Sequence, residues 1–166
     1  FIAGHPMAGR QGSGLGMSQA EIFDGANYIV VPAAFNSSGA IEWLSRFAGA
    51  IGCGQVVQVD AVEHDRIIAY TSNLPHALAV ALINSASYNE NTKYFIAGSF
   101  RDGTRVADIN PYLWSDLFLA NRENVLQEVA AFSQQLERWR KALTAADAQA
   151  LQEMMREAAV KRKDLY

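Results

Sequence analysis

A helical periodicity of apolar residues in the second half of the chain constrains the fold more than any other feature. Apolar side chains recur there at intervals of three, four or seven residues, at Trp114, Leu117, Phe118, Val125, Val129, Phe132, Leu136, Trp139 and Leu143. This spacing aligns them along one side of an α-helix and predicts a long amphipathic stretch. The apolar surface is wider than the other helices of this chain can cover, so we expect a homodimer formed through this part.

The helical pattern begins near Asp60, which we expect to cap a long helix that Pro75 interrupts. Proline removes one backbone donor and presses on the carbonyl of Thr71, four residues earlier, so a kink is expected there. Further along, residues 98–104 are interpreted as a glycine-containing loop, and Pro111 suits the first turn of the next helix. The sequence 144–147 resembles a capping box that opens a last helix.

The first 59 residues have a different character, rich in glycine and β-branched residues. Apolar runs at 1–3, 26–32 and 55–59 predict strands, and Ser38 is expected to cap a helix that ends near Gly52. Two or three strands are too few for a complete α/β layer. We therefore predict a mainly α chain, with residues 1–59 an α/β remnant and residues 60–166 an all-helical domain.

Composition excludes several functional classes. The 166 residues carry a formal net charge of -3, so no basic field attracts nucleic acid or anionic lipid. No apolar run approaches the roughly 18 residues of a membrane span, which predicts a soluble protein. A single cysteine, Cys53, excludes an intrachain disulfide and a thiolate metal cage, and fits the reducing cytoplasm. The chain begins at Phe1 without an initiator methionine, so we expect a segment of something longer.

Glycines crowd between Gly9 and Gly16, but their spacing fits neither the G-x-G-x-x-G turn nor the P-loop. A flexible loop at a strand end is the simpler interpretation, although such loops also bind ligands in α/β sheets.

The three histidines differ in context. His5 ends a short apolar run before a proline and is equally compatible with a ligand-facing and a packed side chain. His76 follows Pro75, where a kink exposes polar groups, which slightly favours a pocket. His64 lies at the polar start of a helix and is interpreted as structural. No pair has the i, i+4 spacing of a helical zinc site, so no metal is expected.

The segment 100–105 places two arginines beside one carboxylate. Arg101 and Arg105 suit bidentate capture of a carboxylate or phosphate. A surface ion pair with Asp102 explains the same residues equally well.

Four separated motifs, in this order, together resemble the prephenate and arogenate dehydrogenases of tyrosine biosynthesis. They are Gly4-His5-Pro6-Met7-Ala8-Gly9 with Ser13-Gly14; Glu63-His64-Asp65 with Ser72-Asn73-Leu74-Pro75-His76; the run from Gly98 to Ala107; and Pro111 with Trp114, Asp116 and Asn121. Each motif alone is weak, but the ordered set covers nearly the whole chain. The dinucleotide-binding G-x-G-x-x-G turn of that family is not among these residues, which implies the last strands of a Rossmann-type domain followed by a helical substrate and dimerisation domain.

The resemblance implies a reaction and residue roles. Members of the family oxidise the ring carbinol of prephenate by hydride transfer to NAD or NADP and release the ring carboxylate as carbon dioxide, giving 4-hydroxyphenylpyruvate. By resemblance, His5 contacts the hydroxyl as the catalytic base or polariser, and Arg105 binds the ring carboxylate. The remaining implied positions are Arg101 and Asp102 at the entrance, Ser72 and His76 at the substrate side chain, and Pro6, Met7 and Gly9 at the cofactor.

Two departures from the family pattern qualify these roles. Asn73 stands where many members have a histidine, which favours a neutral hydrogen-bonding role there. Arg10-Gln11 replaces an acidic residue near the entrance. His76 favours prephenate over arogenate, because a cationic histidine suits a keto-acid side chain better than an ammonium-bearing one. Arogenate dehydrogenase and a non-catalytic helical homodimerisation module remain the alternatives.

Overall fold

The computed structural model describes residues 1–9 and 14–165 and has two compact units, Phe1–Ile68 and Ala69–Tyr166. The predictions for Arg10-Gln11 and for Gly12 and Ser13 of the glycine cluster lie outside the described residues. Within the described part of the chain, no helix is long and apolar enough to cross a membrane.

The first unit contains a three-stranded sheet. Its strands are β1 (Ala3–Pro6), β2 (Tyr28–Val31) and β3 (Val56–Gln58), which confirms the three predicted strands. Strand β2 is central, antiparallel to β1 and parallel to β3. The register pairs His5 with Ile29, which places the histidine near the end of an antiparallel edge strand.

One helix, α1 (Ser38–Ala50), packs on this sheet. Its cap is Ser37 rather than the predicted Ser38, because the Ser37 side chain is the one that accepts from the backbone N–H of Ala40. The chain leaves the helix through Gly52, whose φ of 98° is a left-handed conformation that favours glycine. The core between helix and sheet consists of Tyr28, Val30, Leu44, Ala48 and Cys53.

Helix α2 (Ala61–Ile68) completes the first unit, and Asp60 caps it as predicted, since its Oδ1 accepts from the Glu63 N–H at 2.9 Å. A π-helical turn, Ala69–Asn73, follows and leads into α3 (Leu74–Ile83). Pro75 lies in the first turn of α3, directly after the π turn, and the expected kink at this position stays a prediction. The ring of Pro75 excludes a regular bond to the Thr71 carbonyl, and a π turn accommodates that loss. The two units divide at 68/69, and the predicted domain boundary at 59/60 stays a prediction.

The second unit is helical. Its later helices are α4 (Gly98–Thr104), α5 (Pro111–Ala120), α6 (Arg122–Thr144) and α7 (Ala148–Lys163). Pro111 occupies the first turn of α5, as predicted. The mainly α fold class, with a short α/β part before the helical part, is confirmed.

Three local predictions for this unit are wrong. The expected loop at 98–104 is helix α4, because its packing against α3 outweighs the low helix propensity of its two glycines. The long apolar stripe is divided between α5 and α6, since Asn121 leaves the helical conformation with φ −111° and ψ 26°. Thr144 ends α6 instead of opening α7, because Ala146 turns left-handed and the Asp147 carboxylate caps the next helix by accepting from the Ala150 N–H.

Candidate active site

In the first unit, His5 is joined to a second histidine from a distant part of the sequence. Its Nδ1 lies 3.0 Å from Nε2 of His64, and the ring centroids are 5.3 Å apart. The strand end holds the backbone of His5, and the capped first turn of α2 holds that of His64. Because 59 residues separate them, local patterns did not predict this contact.

The contact between His5 and His64 continues to a third side chain, that of Asp65. Nδ1 of His64 lies 2.8 Å from Oδ1 of Asp65, so the three residues form a hydrogen-bonded chain. The His64 side chain is 19% exposed, and that of Asp65 is 57% exposed. Sequence reasoning treated His64 as structural and missed this chain. The signal that could have found it was the Glu63-His64-Asp65 motif itself, which places a polar histidine beside a carboxylate.

The surroundings of His5 favour its neutral form. Partial burial, and after it the charge that His64 carries when protonated, lower the pKa of His5. A neutral imidazole has one nitrogen free to accept a proton, which a base requires. The electrostatics are therefore compatible with the role that the resemblance implies.

The backbone beside His5 depends on a close approach between two strands. A Cβ on Gly4 would lie 2.5 Å from Oη of Tyr28, whose side chain is in the core of the unit. Only glycine leaves room for that ring. The position of His5 is therefore tied to the packing of β1 on β2.

In the second unit, His76 is held by a hydrogen bond and by stacking. Its Nδ1–H donates to the backbone carbonyl of Ser72 at 2.8 Å, and its ring stacks on Trp114 with centroids 3.7 Å apart. Trp114 also contacts Phe118. The donated Nδ1–H leaves Nε2 of a neutral His76 available for another partner. Sequence analysis placed Trp114 in the apolar helical stripe and in a family motif and assigned it no role at a site.

Asn73 has the neutral hydrogen-bonding surroundings expected from its substitution for histidine. Its side chain is 3% exposed, and its Oδ1 accepts from Nδ2 of Asn121 at 3.4 Å. Asn121 accepts in turn from Asn124. The break between α5 and α6 thus supplies a partner to a buried amide.

Arg101, Asp102 and Arg105 are exposed. The two arginines are four residues apart in helical conformation, so they lie on the same side of the backbone. The turn Arg105–Ala107 packs against α3, which carries His76. The helical unit therefore brings the element with Arg105 together with α3, which carries His76 and directly follows the π turn that contains Ser72.

The positions expected at a cofactor follow β1 directly. Met7 is partly exposed, and its backbone N–H donates a hydrogen bond to the Asn27 carbonyl at 2.7 Å. A Cβ on Gly9 would meet no atom within 4 Å. No charged side chain occurs between Gly4 and Gly9. These residues fit an uncharged ring better than a pyrophosphate. Among the described residues, no group of three or more His, Cys, Asp or Glu is arranged to hold a metal ion.

An apolar cavity of about 260 Å³ lies in the helical unit and contains none of the predicted site residues. Its walls come from α3, α5 and α6 and include Phe118, Val125 and Leu126. The cavity borders the exposed apolar side of α6 and is not a polar reaction site.

Comparisons with known proteins agree with this architecture. A family profile described as "Prephenate dehydrogenase, dimerization domain" matches residues 60–157. Prephenate dehydrogenase of Bacillus subtilis (strain 168) is 31% identical over 155 residues, which are 91% of this chain and 42% of that protein. Cyclohexadienyl dehydrogenase of Zymomonas mobilis is 34% identical over 163 residues, which are 95% of this chain and 55% of that protein. The chain thus spans about half the length of these relatives.

Comparison with solved structures also finds dehydrogenases of this kind. The crystal structure of prephenate dehydrogenase from A. aeolicus in complex with hydroxyphenyl propionate and NAD⁺ has a TM-score of 0.87 and 29% identity, and covers 100% of this chain and 59% of that one. Arogenate dehydrogenase from Synechocystis, at a TM-score of 0.84 and 22% identity over 100% of this chain and 62% of that one, shares the fold. A short α/β part followed by a helical dimerisation-type domain defines the class of protein. The chain belongs to the prephenate dehydrogenase family.

Proposed function

We propose that this chain carries the catalytic base and the carboxylate-binding residues of a nicotinamide-dependent dehydrogenase that oxidises and decarboxylates prephenate to 4-hydroxyphenylpyruvate. The observation that carries the proposal is the state of His5, a partly buried imidazole that hydrogen-bonds through Nδ1 and has a lowered pKa. Oxidation of a carbinol requires a group that accepts the hydroxyl proton as hydride leaves, and a neutral imidazole does this.

The other roles follow the same chemistry. Arg105 binds the ring carboxylate through its guanidinium, with Arg101 and Asp102 at the entrance. Ser72 and His76 contact the substrate's side chain, where Nε2 of His76 is the available atom. Pro6, Met7 and Gly9 contact the nicotinamide end of the cofactor. Bound NAD or NADP would supply the hydride acceptor, and carbon dioxide would leave as the ring becomes aromatic.

We also propose that the protein is a homodimer through its helical unit. The matching family profile is described as a dimerization domain. Helix α6 exposes Leu126, Val129, Leu136 and Leu143, each at least 40% accessible. A continuous apolar helix side of this kind is costly to leave in water. The family and the lone cysteine support a cytoplasmic location.

The test is a turnover assay on the full-length protein that the gene encodes. Prephenate and arogenate are each supplied with NAD or NADP, and absorbance of the reduced nicotinamide is followed. We expect turnover with prephenate and formation of 4-hydroxyphenylpyruvate. Faster turnover of arogenate, with tyrosine as product, would favour that alternative.

A folded dimer that turns over neither substrate with either nicotinamide would overturn the proposal. That outcome would leave the helical homodimerisation module as the better description. Reactions without nicotinamide serve as the control for spontaneous loss of prephenate.

A further inference from the structure

The hydrogen-bonded chain His5–His64–Asp65 contains two side chains that the proposed function does not use. Nδ1 of His5 lies 3.0 Å from Nε2 of His64, and Nδ1 of His64 lies 2.8 Å from Oδ1 of Asp65. Both distances lie in the range of hydrogen bonds. The three side chains therefore constrain one another's protons.

The direction of each bond follows from the acceptor at the far end. An ionised carboxylate only accepts, so the Asp65 bond requires a proton on Nδ1 of His64. A neutral His64 then has a lone pair on Nε2, and the facing Nδ1 of His5 must carry a proton. In neutral His5, Nε2 is consequently the nitrogen with the lone pair.

We propose that His64 and Asp65 are positioning residues that hold His5 in the tautomer whose Nε2 is free to accept the substrate's hydroxyl proton. This inference rests on the proposed role of His5 as the base. In the reaction the O–H bond breaks and an Nε2–H bond forms, while the C–H hydrogen of the carbinol carbon leaves as hydride, which a bound nicotinamide would accept. Loss of carbon dioxide leaves its C–C electron pair in the ring, and Nε2–H then returns the proton to the ring oxygen, which gives the hydroxyl of 4-hydroxyphenylpyruvate. His5 becomes an imidazolium, whose Nδ1–H donates to His64 with the Asp65 carboxylate behind it.

The surrounding charges are compatible with this arrangement. The titratable groups on the elements next to His5 are Tyr28 on β2 and Glu63, His64, Asp65 and Arg66 on α2. Glu63 holds Arg66 through two hydrogen bonds of 2.7 and 2.8 Å. The Asp65 side chain is more than half exposed. The lowered pKa of His5 supports a neutral imidazole at the start of the reaction.

If the hydrogen bond between His64 and His5 runs in the opposite direction, the consequence for His5 is different. When His64 carries protons on both nitrogens, its Nε2–H donates to Nδ1 of His5. The remaining proton of a neutral His5 then lies on Nε2, where it blocks proton acceptance. The tautomer of His5 is therefore the quantity to measure.

Nitrogen-15 NMR of ring-labelled histidine in the full-length protein reads this tautomer without any substrate. We expect His5 to show a protonated Nδ1 and an unprotonated Nε2 near neutral pH. His64→Leu should produce a mixture of tautomers at His5. His64→Gln should restore the wild-type signal, because the amide oxygen of glutamine accepts from Nδ1–H. A proton on Nε2 in the wild type, or an unchanged His5 signal in His64→Leu, would overturn the proposal.

Kinetics provide the second measurement. His64→Leu should lower kcat about 10- to 100-fold, as for other groups that orient a reacting imidazole, with little change in KM. His64→Gln should recover most of the loss. Asp65→Asn should lower kcat in the wild type and have no further effect in His64→Leu, because its action passes through His64.

Glu63→Gln is the matched control, one residue away on the same helix turn, and should change neither the tautomer nor kcat. A purely structural His64 would lower the melting temperature of His64→Leu and leave the His5 tautomer unchanged, which contradicts positioning. If the wild type has the expected tautomer but turns over no substrate, the proposed function fails while the hydrogen-bond assignment stands.

Discussion

The two compact units differ in where their apolar side chains lie. In the first unit, Tyr28, Val30, Leu44, Ala48 and Cys53 form a core between one helix and a small sheet. In the second, α6 buries only Val125 and Ala142 and leaves Leu136 and Leu143 more than half exposed.

The difference indicates how each unit is stabilised. A helix pattern that is apolar over much of its surface needs contacts on more than one side. The first unit supplies such contacts to α1 from its own sheet, although Trp43 and Phe47 remain exposed on that helix. In the second unit α3, α5 and α7 contact α6, but its side with Val129, Leu136 and Leu143 stays exposed, which is why we propose that another copy of the chain covers that surface.

The sharpest test of the first unit is removal of its proposed base, His5. His5→Asn in the full-length protein should lower kcat by about 10²- to 10⁴-fold, the usual contribution of general base catalysis, with KM nearly unchanged. Initial rates of nicotinamide reduction measure both constants. A loss that lies mainly in KM would show that His5 binds substrate rather than accepts its proton.

The second unit is tested through its exposed helix surface. Leu136→Glu places a charge where we expect two copies to meet, and should weaken the dimer at least about 100-fold because each carboxylate loses water on association. Sedimentation at micromolar concentration should then show a monomer. Gln134→Glu is the control, since a two-residue step places it on the far side of the helix. A dimer unaffected by Leu136→Glu would contradict the assigned interface.

Arg105 tests whether the second unit binds substrate as well as a partner. Arg105→Ala should raise KM about 10- to 100-fold, because it removes a charge-assisted hydrogen bond to a carboxylate. The control is Arg156→Ala, an arginine in an exposed ion pair with Glu153. Unchanged saturation in Arg105→Ala would exclude this residue from carboxylate binding.

The packing of the first unit is tested at Gly4. Gly4→Ala should destabilise the protein by about 1–3 kcal/mol, because the new methyl group collides with the Tyr28 ring. Thermal unfolding measures the change. Gly39→Ala is the matched control, since a Cβ there meets no atom within 4 Å. Equal melting temperatures for the two variants would contradict the close approach of β1 and β2.

The smallest expected effect is a pH dependence confined to the first unit. Burial lowers the pKa of His5, so the folded state binds fewer protons than the unfolded state as the pH falls below the ordinary histidine value of about 6.5. The unfolding free energy therefore has its full value at a pH above the ordinary histidine pKa. It decreases as the pH falls towards the lowered pKa of His5. Denaturant unfolding of the wild type and of His5→Asn between pH 7 and pH 5 should show a smaller acid loss in the variant. An identical loss in both would mean that burial does not perturb His5.

Local patterns determined much of the fold. The three strands, the Asp60 cap and the first turn of α5 follow from periodicity, side-chain capping and the missing N–H of proline, all of which act within a few residues. The caps at Ser37 and Asp147 were misplaced by local detail, whereas two other errors fell where distant contacts decide. Helix α4 forms by packing on α3, and Asn121 interrupts the helical stripe where its side chain reaches Asn73.

The same division applies to the candidate site. The sequence by itself determined the residue types, since an imidazole before a proline and two arginines beside a carboxylate are readable as chemistry. Only the tertiary structure decided which atoms meet: His5 with His64, 59 residues apart, and His76 on α3 with Trp114 on α5. Proton positions depend on these contacts, because the partner of one ring nitrogen of a histidine determines which nitrogen carries the proton. No local sequence pattern contains that partner.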